Sequence, residues 1–258
     1  MKLKFLNPRA DDNHFLALTF LLFGAVVLAL QDSLIKLMSS DTSFWQLQLL
    51  RSLCNIILLT LIAHYTNGIK ILFPINWKPV YLRALMMTCC MFCFFSASPD
   101  LTVAQMAAGL YTYPLFVSIL AITILKEKIG FWRLSALIIG LLGTFIILEP
   151  WSYQFKYTQI LPVLAGFFYA CNIILIRKYC RMENVMSLTL AVGVIFLLSA
   201  LMGTIFFEFF YISDSLVLNM PFIEIGWPNL TFLIFFFAIF CSILNLLGNL
   251  SLAKAYQS

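Results

Sequence analysis

Apolar residues along this chain are grouped in windows of about twenty, and short polar segments separate the windows. A helix of about twenty residues, rising 1.5 Å per residue, crosses about 30 Å of hydrocarbon. The windows lie at residues 15–38, 45–65, 79–97, 103–125, 132–149, 158–177, 186–209 and 229–251. Because backbone hydrogen bonds must be satisfied internally in lipid, the pattern predicts an all-α, polytopic transmembrane bundle of eight helices.

The composition agrees with this class. Of the 258 residues, 62% are hydrophobic and 10% are charged, which is more apolar surface than a soluble domain of this size could bury. A cleaved signal peptide is not expected, because Asp11 and Asp12 interrupt the basic flank and the apolar stretch that follows is long. Most of the seven cysteines fall inside windows and are interpreted as packing groups. Cys90 and Cys93 are too few ligands for a metal, so no metal or cofactor is expected.

Basic residues alternate with acidic ones from loop to loop. The N-terminal tail and the segments after the second, fourth and sixth windows carry Lys2, Lys4, Arg9, Lys70, Lys78, Arg83, Lys126, Lys128, Arg133, Arg177, Lys178 and Arg181. The other loops carry Asp41, Asp100, Glu149, Asp214 and Glu224, with Lys156 as their one basic residue. By the positive-inside rule we expect both termini in the cytoplasm, in a bacterial inner membrane. This bias explains the net charge of +5, and nucleic acid is not an expected partner.

Polar and charged residues interrupt the first two windows. They are Gln31, Asp32, Lys36, Gln48, Arg51 and Asn55. A charge at the bilayer centre costs about 2.5 to 3.5 kcal/mol on insertion scales, so each needs a partner or a watery cavity. If the two helices are antiparallel neighbours, Asp32 and Arg51 lie at the same depth. Two interpretations stay open: a polar wall of a solute cavity, in which Arg51 binds a carboxylate or phosphate, or a structural ion pair with Lys36 reaching outward.

A proline lies inside the fourth window, in the segment "GLYTYPLFVSILAITILKEKIG". Pro114 has no backbone N–H and its ring leaves the carbonyl of Leu110 without its helical partner. In secondary transporters such broken helices present backbone groups to the substrate, and Tyr111 and Tyr113 would add aromatic contact. The alternative is a packing kink. The small residue Gly109 would let another helix approach closely here.

Further polar residues and one ridge of small residues lie in later windows. The sixth window contains Tyr169 and Asn172, and the eighth contains Asn245 and Asn249, which share one helix face. These side chains either line the same cavity or form hydrogen bonds between helices. In the fifth window Ala136, Gly140 and Thr144 form a ridge that is typical of a packing seam or of a homodimer contact.

The sequence favours transport over catalysis. No serine, histidine or cysteine nucleophile has a base at a shared depth, so an enzyme is not expected. A glycine loop that could cradle phosphate is not found either, which argues against ATP use. The expected partners are the lipid bilayer and a small-molecule substrate. The second hypothesis is a structural or regulatory helical membrane protein that does not transport.

Two stretches carry a family resemblance. "DSLIKLM…QLQLLRS" in the first two windows and "TVAQMAAGLYTYPLFVSILAITILKEKIGFWRLSALIIGLLGTFIIL" in the fourth and fifth resemble EamA-type members of the drug/metabolite transporter superfamily, with Glu127 at the expected helix end. The resemblance implies alternating access, and substrates such as amino acids, nucleotide-like cofactors, vitamins or drugs. It implies ten helices in two inverted five-helix repeats, at 1–150 and 158–258. The second repeat then holds three helices, and the ninth and tenth are expected to be missing.

Overall fold

A computed structural model of the chain describes residues 14–66, 68–127, 130–151, 153, 156–209, 221–224 and 226–255. Its helices are α1 (His14–Met38), α2 (Phe44–Thr66), α3 (Trp77–Ser96), α4 (Val103–Leu110), α5 (Tyr113–Leu125), α6 (Phe131–Leu148), α7 (Leu161–Tyr179), α8 (Val185–Phe209), α9 (Pro221–Glu224) and α10 (Phe232–Ala255). Single 3-10 turns cover Ile69–Leu72 and Tyr157–Ile160. Every regular element within the described ranges is therefore helical.

The predicted windows are confirmed as helices. Seven helical segments in the described part of the chain are long and apolar enough to cross a membrane, and Leu134–Leu148 is a shorter apolar helix. The fourth window, Val103–Leu125, contains both α4 and α5. Several charges used to predict orientation lie outside the described residues, namely Lys2, Lys4, Arg9, Lys128 and Asp214, together with the side chain of Arg133. Asp11 and Asp12, on which the signal-peptide expectation depends, lie outside them too. The polytopic helical class is thus established, while the orientation stays a prediction.

The helices form two compact units. One comprises Met1–Pro74 and Asn184–Ser258, and the other comprises Ile75–Glu183. Each unit contains helices from both predicted repeats, 1–150 and 158–258. Close packing and internal repetition are different properties of a chain, so the repeat boundaries stay a prediction.

In the first unit, α10 packs against both α1 and α2, and α2 also packs against α8. Glycines make these approaches close. A Cβ atom on Gly203 would overlap the ring of Trp45, and one on Gly248 would lie 2.7 Å from the side chain of Leu28. Small residues are a common device for bringing helices together in membranes, where lipid provides no hydrophobic driving force.

The start of α2 is bound to the segment that precedes α10. The side chains of Ser43, Trp45 and Gln46 donate hydrogen bonds to the carbonyls of Gly226, Ile223 and Pro228, at 2.9, 2.7 and 2.7 Å. Ser43 and Gln46 are fully buried. The carbonyls of Gly226 and Pro228 lie outside helices, and that of Ile223 lies in the four-residue α9, so the side chains at the start of α2 supply partners that the helical backbone does not.

In the second unit, α7 packs against α3, α4 and α5. A Cβ atom on Gly109 would lie 2.5 Å from Cβ of Pro162, which confirms the close approach expected at Gly109. On α6, Thr144 donates its hydroxyl to the carbonyl of Ala108 at 3.5 Å, whereas Gly140 has open space beside it. The ridge predicted on α6 therefore packs on α4 at one end. Its use in a homodimer stays a prediction.

The helix break predicted at Pro114 is confirmed. The helix α4 ends at Leu110 and α5 begins at Tyr113, so that Pro114 lies in the first turn of α5, where no N–H is needed. The hydroxyl of Thr112 donates to the carbonyl of Gly109 at 2.7 Å. One carbonyl at the break is thereby satisfied by a side chain beside it.

Candidate functional site

In the first unit, the directions of α1, α2 and α10 place polar residues of these helices at similar depths. The helices α2 and α10 run in the same direction. Gln46 contacts Pro228 just before α10, and further along α2 the backbone carbonyl of Arg51 accepts a hydrogen bond from the hydroxyl of Ser242 at 3.1 Å. By contrast α1 runs antiparallel to α10, since Leu28 packs on Gly248 while Asp32 lies near Cys241.

This arrangement brings Asp32 and Arg51 together through α10. They lie within electrostatic range of each other, and Cys241 of α10 lies near both. The sequence suggested that α1 and α2 are direct neighbours, but α10 is the helix that packs extensively on each of them. The amide of Gln31 donates to Oδ1 of Asp32 at 3.1 Å. An acid, a base and an amide therefore share one depth in the first unit.

Two amide oxygens in this cluster are buried without a hydrogen bond. They are Oε1 of Gln31 and Oδ1 of Asn55, for which the described residues supply no partner. The side chain of Gln31 is only 3% exposed. Leaving a buried polar group unpaired costs about 1 to 3 kcal/mol, so native proteins almost always pair such groups with protein, water or ligand. These two oxygens are acceptors that a bound polar molecule could use.

The remaining predicted residues of the first unit surround this cluster. Gln48 is buried one turn before Arg51 on α2, and Lys36 is half-buried one turn beyond Asp32 on α1. On α10, Nδ2 of Asn249 donates to the backbone carbonyl of Asn245 at 2.8 Å, and its distance to Oδ1 of Asn245 is 3.2 Å. The shared face expected for these asparagines is therefore observed, with the pair bonded along its own helix.

A second polar cluster lies inside the second unit, where α3, α5 and α7 meet. Nε of Arg83 donates to Oδ1 of Asn172 at 2.8 Å. One turn away on α7, the ring of Tyr169 packs edge-on against Tyr113, with ring centroids 5.0 Å apart. Arg83 also lies within electrostatic range of Tyr169. Guanidinium, amide and two phenol rings therefore share one region of this unit.

Arg83 is the main residue of this cluster that the sequence reasoning missed. It was counted among loop charges, whereas the structure places it within α3, half-buried and bonded to α7. Its position inside the window 79–97 is the signal that could have identified it, because a charge inside an apolar window requires a partner. Asn172, its partner, was predicted.

The two tyrosines beside Pro114 lie in different surroundings. Tyr113 packs on Tyr169, but the side chain of Tyr111 is 66% exposed. Tyr111 and Pro114 line a cavity of about 250 Å³ between the break and α6. The predicted pair is thus divided between the interior of the unit and its surface.

Polar contacts also fix the helix ends of the second unit. Arg177, at the end of α7, forms an ion pair with Glu127, just after α5, at 2.6 Å. The carboxylate of Glu183 accepts the backbone N–H groups of Asn76 at 2.7 Å and of Ile75 at 2.9 Å, just before α3 begins. These contacts hold α3, α5 and α7 in register around the Arg83 cluster.

The model of the EamA-like transporter family matches residues 15–149. A riboflavin transporter of Vibrio cholerae is 42% identical over 74 residues, which is 29% of this chain and 25% of that protein. A riboflavin transporter of Brucella anthropi is 32% identical over 85 residues, or 33% of this chain and 30% of that protein. The matched parts span less than a third of these relatives, and no solved structure matches the chain.

Proposed function

The chain belongs to the EamA-like transporter family, and on that premise we propose that it is a secondary transporter that moves a small organic molecule by alternating access. We propose riboflavin, or a closely related flavin, as the substrate, because the two relatives described above are riboflavin transporters. The proposal includes a bacterial inner membrane and cytoplasmic termini, which the loop charges support.

The observation that carries the proposal is the buried cluster of the first unit. Its amide oxygens on Gln31 and Asn55 lack partners among the described residues, and the charges of Asp32 and Arg51 lie beside them. The uncharged edge of a flavin ring presents an N–H donor between two carbonyl acceptors. Amides and a guanidinium are the groups that bind such an edge with several hydrogen bonds.

The cluster of the second unit supports the same class of ligand. Arg83 and Asn172 supply hydrogen bonds, and Tyr113 and Tyr169 supply aromatic surface for a planar ring. The break between α4 and α5 is weaker support for a substrate site, because the hydroxyl of Thr112 already donates a hydrogen bond to the carbonyl of Gly109. Packing accounts for the break without a substrate.

The test is riboflavin uptake in cells that cannot synthesise riboflavin, measured by flavin fluorescence. Wild-type chain is expected to support uptake, and Arg51→Gln to lower it about 10- to 100-fold, since a hydrogen bond to a charged group contributes about 1.5 to 3 kcal/mol. Arg177→Gln is the matched control, because Arg177 is 40% exposed in a surface ion pair. It should change uptake less than twofold.

The outcomes separate the hypotheses. The amount of each variant in isolated membranes is measured first, so that lost uptake is not confused with lost insertion. Wild-type chain that inserts but takes up no flavin would favour the non-transporting alternative or another substrate. Equal uptake by wild type and Arg51→Gln would remove the first cluster from the transport site.

A further inference from the structure

A separate polar cavity of about 430 Å³ lies at one end of the second unit. The turn before α4, the end of α6 and the 3-10 turn before α7 meet there, on the side predicted to face away from the cytoplasm. The polar residues that line it are Asp100, Gln105, Glu149, Lys156 and Gln159. The start of α7 and Asn172 are eleven residues apart, or about 16 Å at 1.5 Å per residue, so the cavity is distinct from the Arg83 cluster.

The walls of the cavity are built from bonded residues. Nζ of Lys156 donates to Oδ1 of Asp100 at 2.5 Å, which joins the 3-10 turn to the loop after α3. Oε1 of Gln105 accepts both the backbone N–H and the hydroxyl of Thr102, each at 3.0 Å, in a capping box at the start of α4. These contacts fix the positions of three of the five polar lining residues.

Two polar groups of the lining are left for a ligand. Oε1 of Gln159 is buried and has no hydrogen-bond partner among the described residues. The amide of Gln105 uses only its oxygen in the bonds to Thr102, and its Nε2 donates no bond within the described part of the chain. Nε2 of Gln105 is thus a donor that the fold leaves unused. Oε1 of Gln159 has no surface accessible to water in this conformation, and it becomes an acceptor for a ligand when its side chain turns toward the cavity.

Glu149 adds a carboxylate that has no ion-pair partner in the described residues. It ends α6 with φ at 44°, a left-handed conformation that residues other than glycine rarely adopt, and its N–H donates to the carbonyl of Phe145 at 3.1 Å. With Asp100 already paired to Lys156, the lining carries a net negative charge. An anionic ligand would be repelled.

Hydroxyl groups fit this lining, because each one both donates and accepts. A carboxylate and two amides can bind several hydroxyls of one chain, and the volume is within the usual range of small-molecule sites. We propose that this cavity binds a polyhydroxylated chain, and that its ligand is the ribityl chain of a flavin held at this end of the second unit. The identity of that ligand rests on the proposed function, whereas the polyol class rests on the lining alone.

The experiment compares riboflavin with lumiflavin, which has the same ring and a methyl group instead of the ribityl chain. Binding to the purified, detergent-solubilised chain is measured by flavin fluorescence. Several hydrogen bonds to the ribityl hydroxyls should make riboflavin bind at least about tenfold more tightly than lumiflavin. Gln159→Leu and Glu149→Gln should each reduce that preference severalfold and leave lumiflavin affinity unchanged.

Tyr157→Phe is the control, because Tyr157 lies on the same 3-10 turn, is 88% exposed and does not line the cavity. Melting temperatures of all variants show whether they fold. Equal binding of the two flavins by wild type, or an unchanged preference in Gln159→Leu and Glu149→Gln, would overturn the proposal.

A second measurement separates the cavity from the proposed function. Binding of ribitol alone is followed by saturation-transfer NMR with wild type and Gln159→Leu. Ribitol binding that is lost in Gln159→Leu would support the polyol site even if neither flavin bound, and the flavin substrate would then be wrong. Absence of ribitol binding together with equal flavin binding would refute the polyol site while leaving the transport proposal intact.

Discussion

Replacing Gly166 by alanine should destabilise the second unit, because α7 passes directly over the break between α4 and α5. A Cβ atom at Gly166 would lie 2.7 Å from Oγ1 of Thr112, 2.9 Å from the carbonyl oxygen of Leu110 and 3.3 Å from that of Gly109. Two of these three atoms are backbone oxygens, which cannot rotate away. The added methyl group must therefore push α7 outward.

The size of the effect follows from these distances. Carbon–oxygen contacts are usually about 3.3 to 3.6 Å, so α7 must move by about 0.5 Å. Overpacking of this kind costs about 1 to 3 kcal/mol, and the gain in helix propensity from glycine to alanine offsets about 0.5 to 1 kcal/mol. The central values of these ranges, about 2 and about 0.75 kcal/mol, leave a net loss of about 1 kcal/mol. At about 2 to 4 °C per kcal/mol for a chain of this size, the melting temperature should fall by about 2 to 4 °C.

The assay is thermal unfolding in detergent, reported by a thiol-reactive dye that labels buried Cys90 and Cys93 when they become exposed. Gly140→Ala on α6 is the matched control, since a Cβ atom there meets nothing within 4 Å. It should raise the melting temperature by about 1 to 4 °C through helix propensity alone. If Gly166→Ala melts at or above the wild-type temperature, the close contact at the break does not constrain α7.

Two further predictions concern a buried amide and a buried thiol. Gln46→Leu should lower the free energy of unfolding by about 2 kcal/mol or more, because the carbonyl of Pro228 and the hydroxyl of Thr42 each lose a partner at 2.7 Å. The same dye assay measures this loss. The control is Ser33→Ala at an exposed position, which should cost less than about 0.5 kcal/mol. Burial raises the pKa of the Cys180 thiol, which lies just beyond the end of α7. In a variant with Cys180 as its sole cysteine, maleimide labelling should be slow at neutral pH and should still be rising above about pH 8.5, where a free thiol is half ionised. A labelling rate that levels off near that pH would contradict the raised pKa. The folded thiol holds its proton more strongly than the unfolded one. The contribution of Cys180 to the stability of the folded state is therefore complete below the unfolded pKa and is lost as the pH rises from there through the folded pKa.

The protein family and the fold class could be predicted from the sequence. The resemblance carried by the first, second, fourth and fifth windows is confirmed by the family match over residues 15–149. The break at Pro114 was also predictable, because a missing N–H acts within one helical turn. Spans and breaks depend on local composition and backbone geometry, which are properties of contiguous residues.

The candidate site could be predicted from the sequence only in part. Asp32 and Arg51 were recognised as costly charges, but the helix that lies beside both of them, α10, was not. The sequence predicts Arg83 to be a loop charge, because basic residues are frequent near helix ends. The structure places it inside the second unit, where it donates a hydrogen bond to Asn172 at 2.8 Å. Neighbouring Tyr111 and Tyr113 were expected to act together.

The sequence by itself determined that this chain crosses the membrane in helices, where each one lies to within a few residues, and where one of them breaks. Lipid solvates apolar residues and offers no hydrogen bonds, so these features follow from stretches of about twenty residues. Only the tertiary structure decided which helices touch. Within the second unit it divided Tyr111 from Tyr113, paired Arg83 with Asn172 and assembled a polar cavity around Glu149 and Gln159. Such contacts depend on shape and depth between residues far apart in the chain, which no local pattern contains.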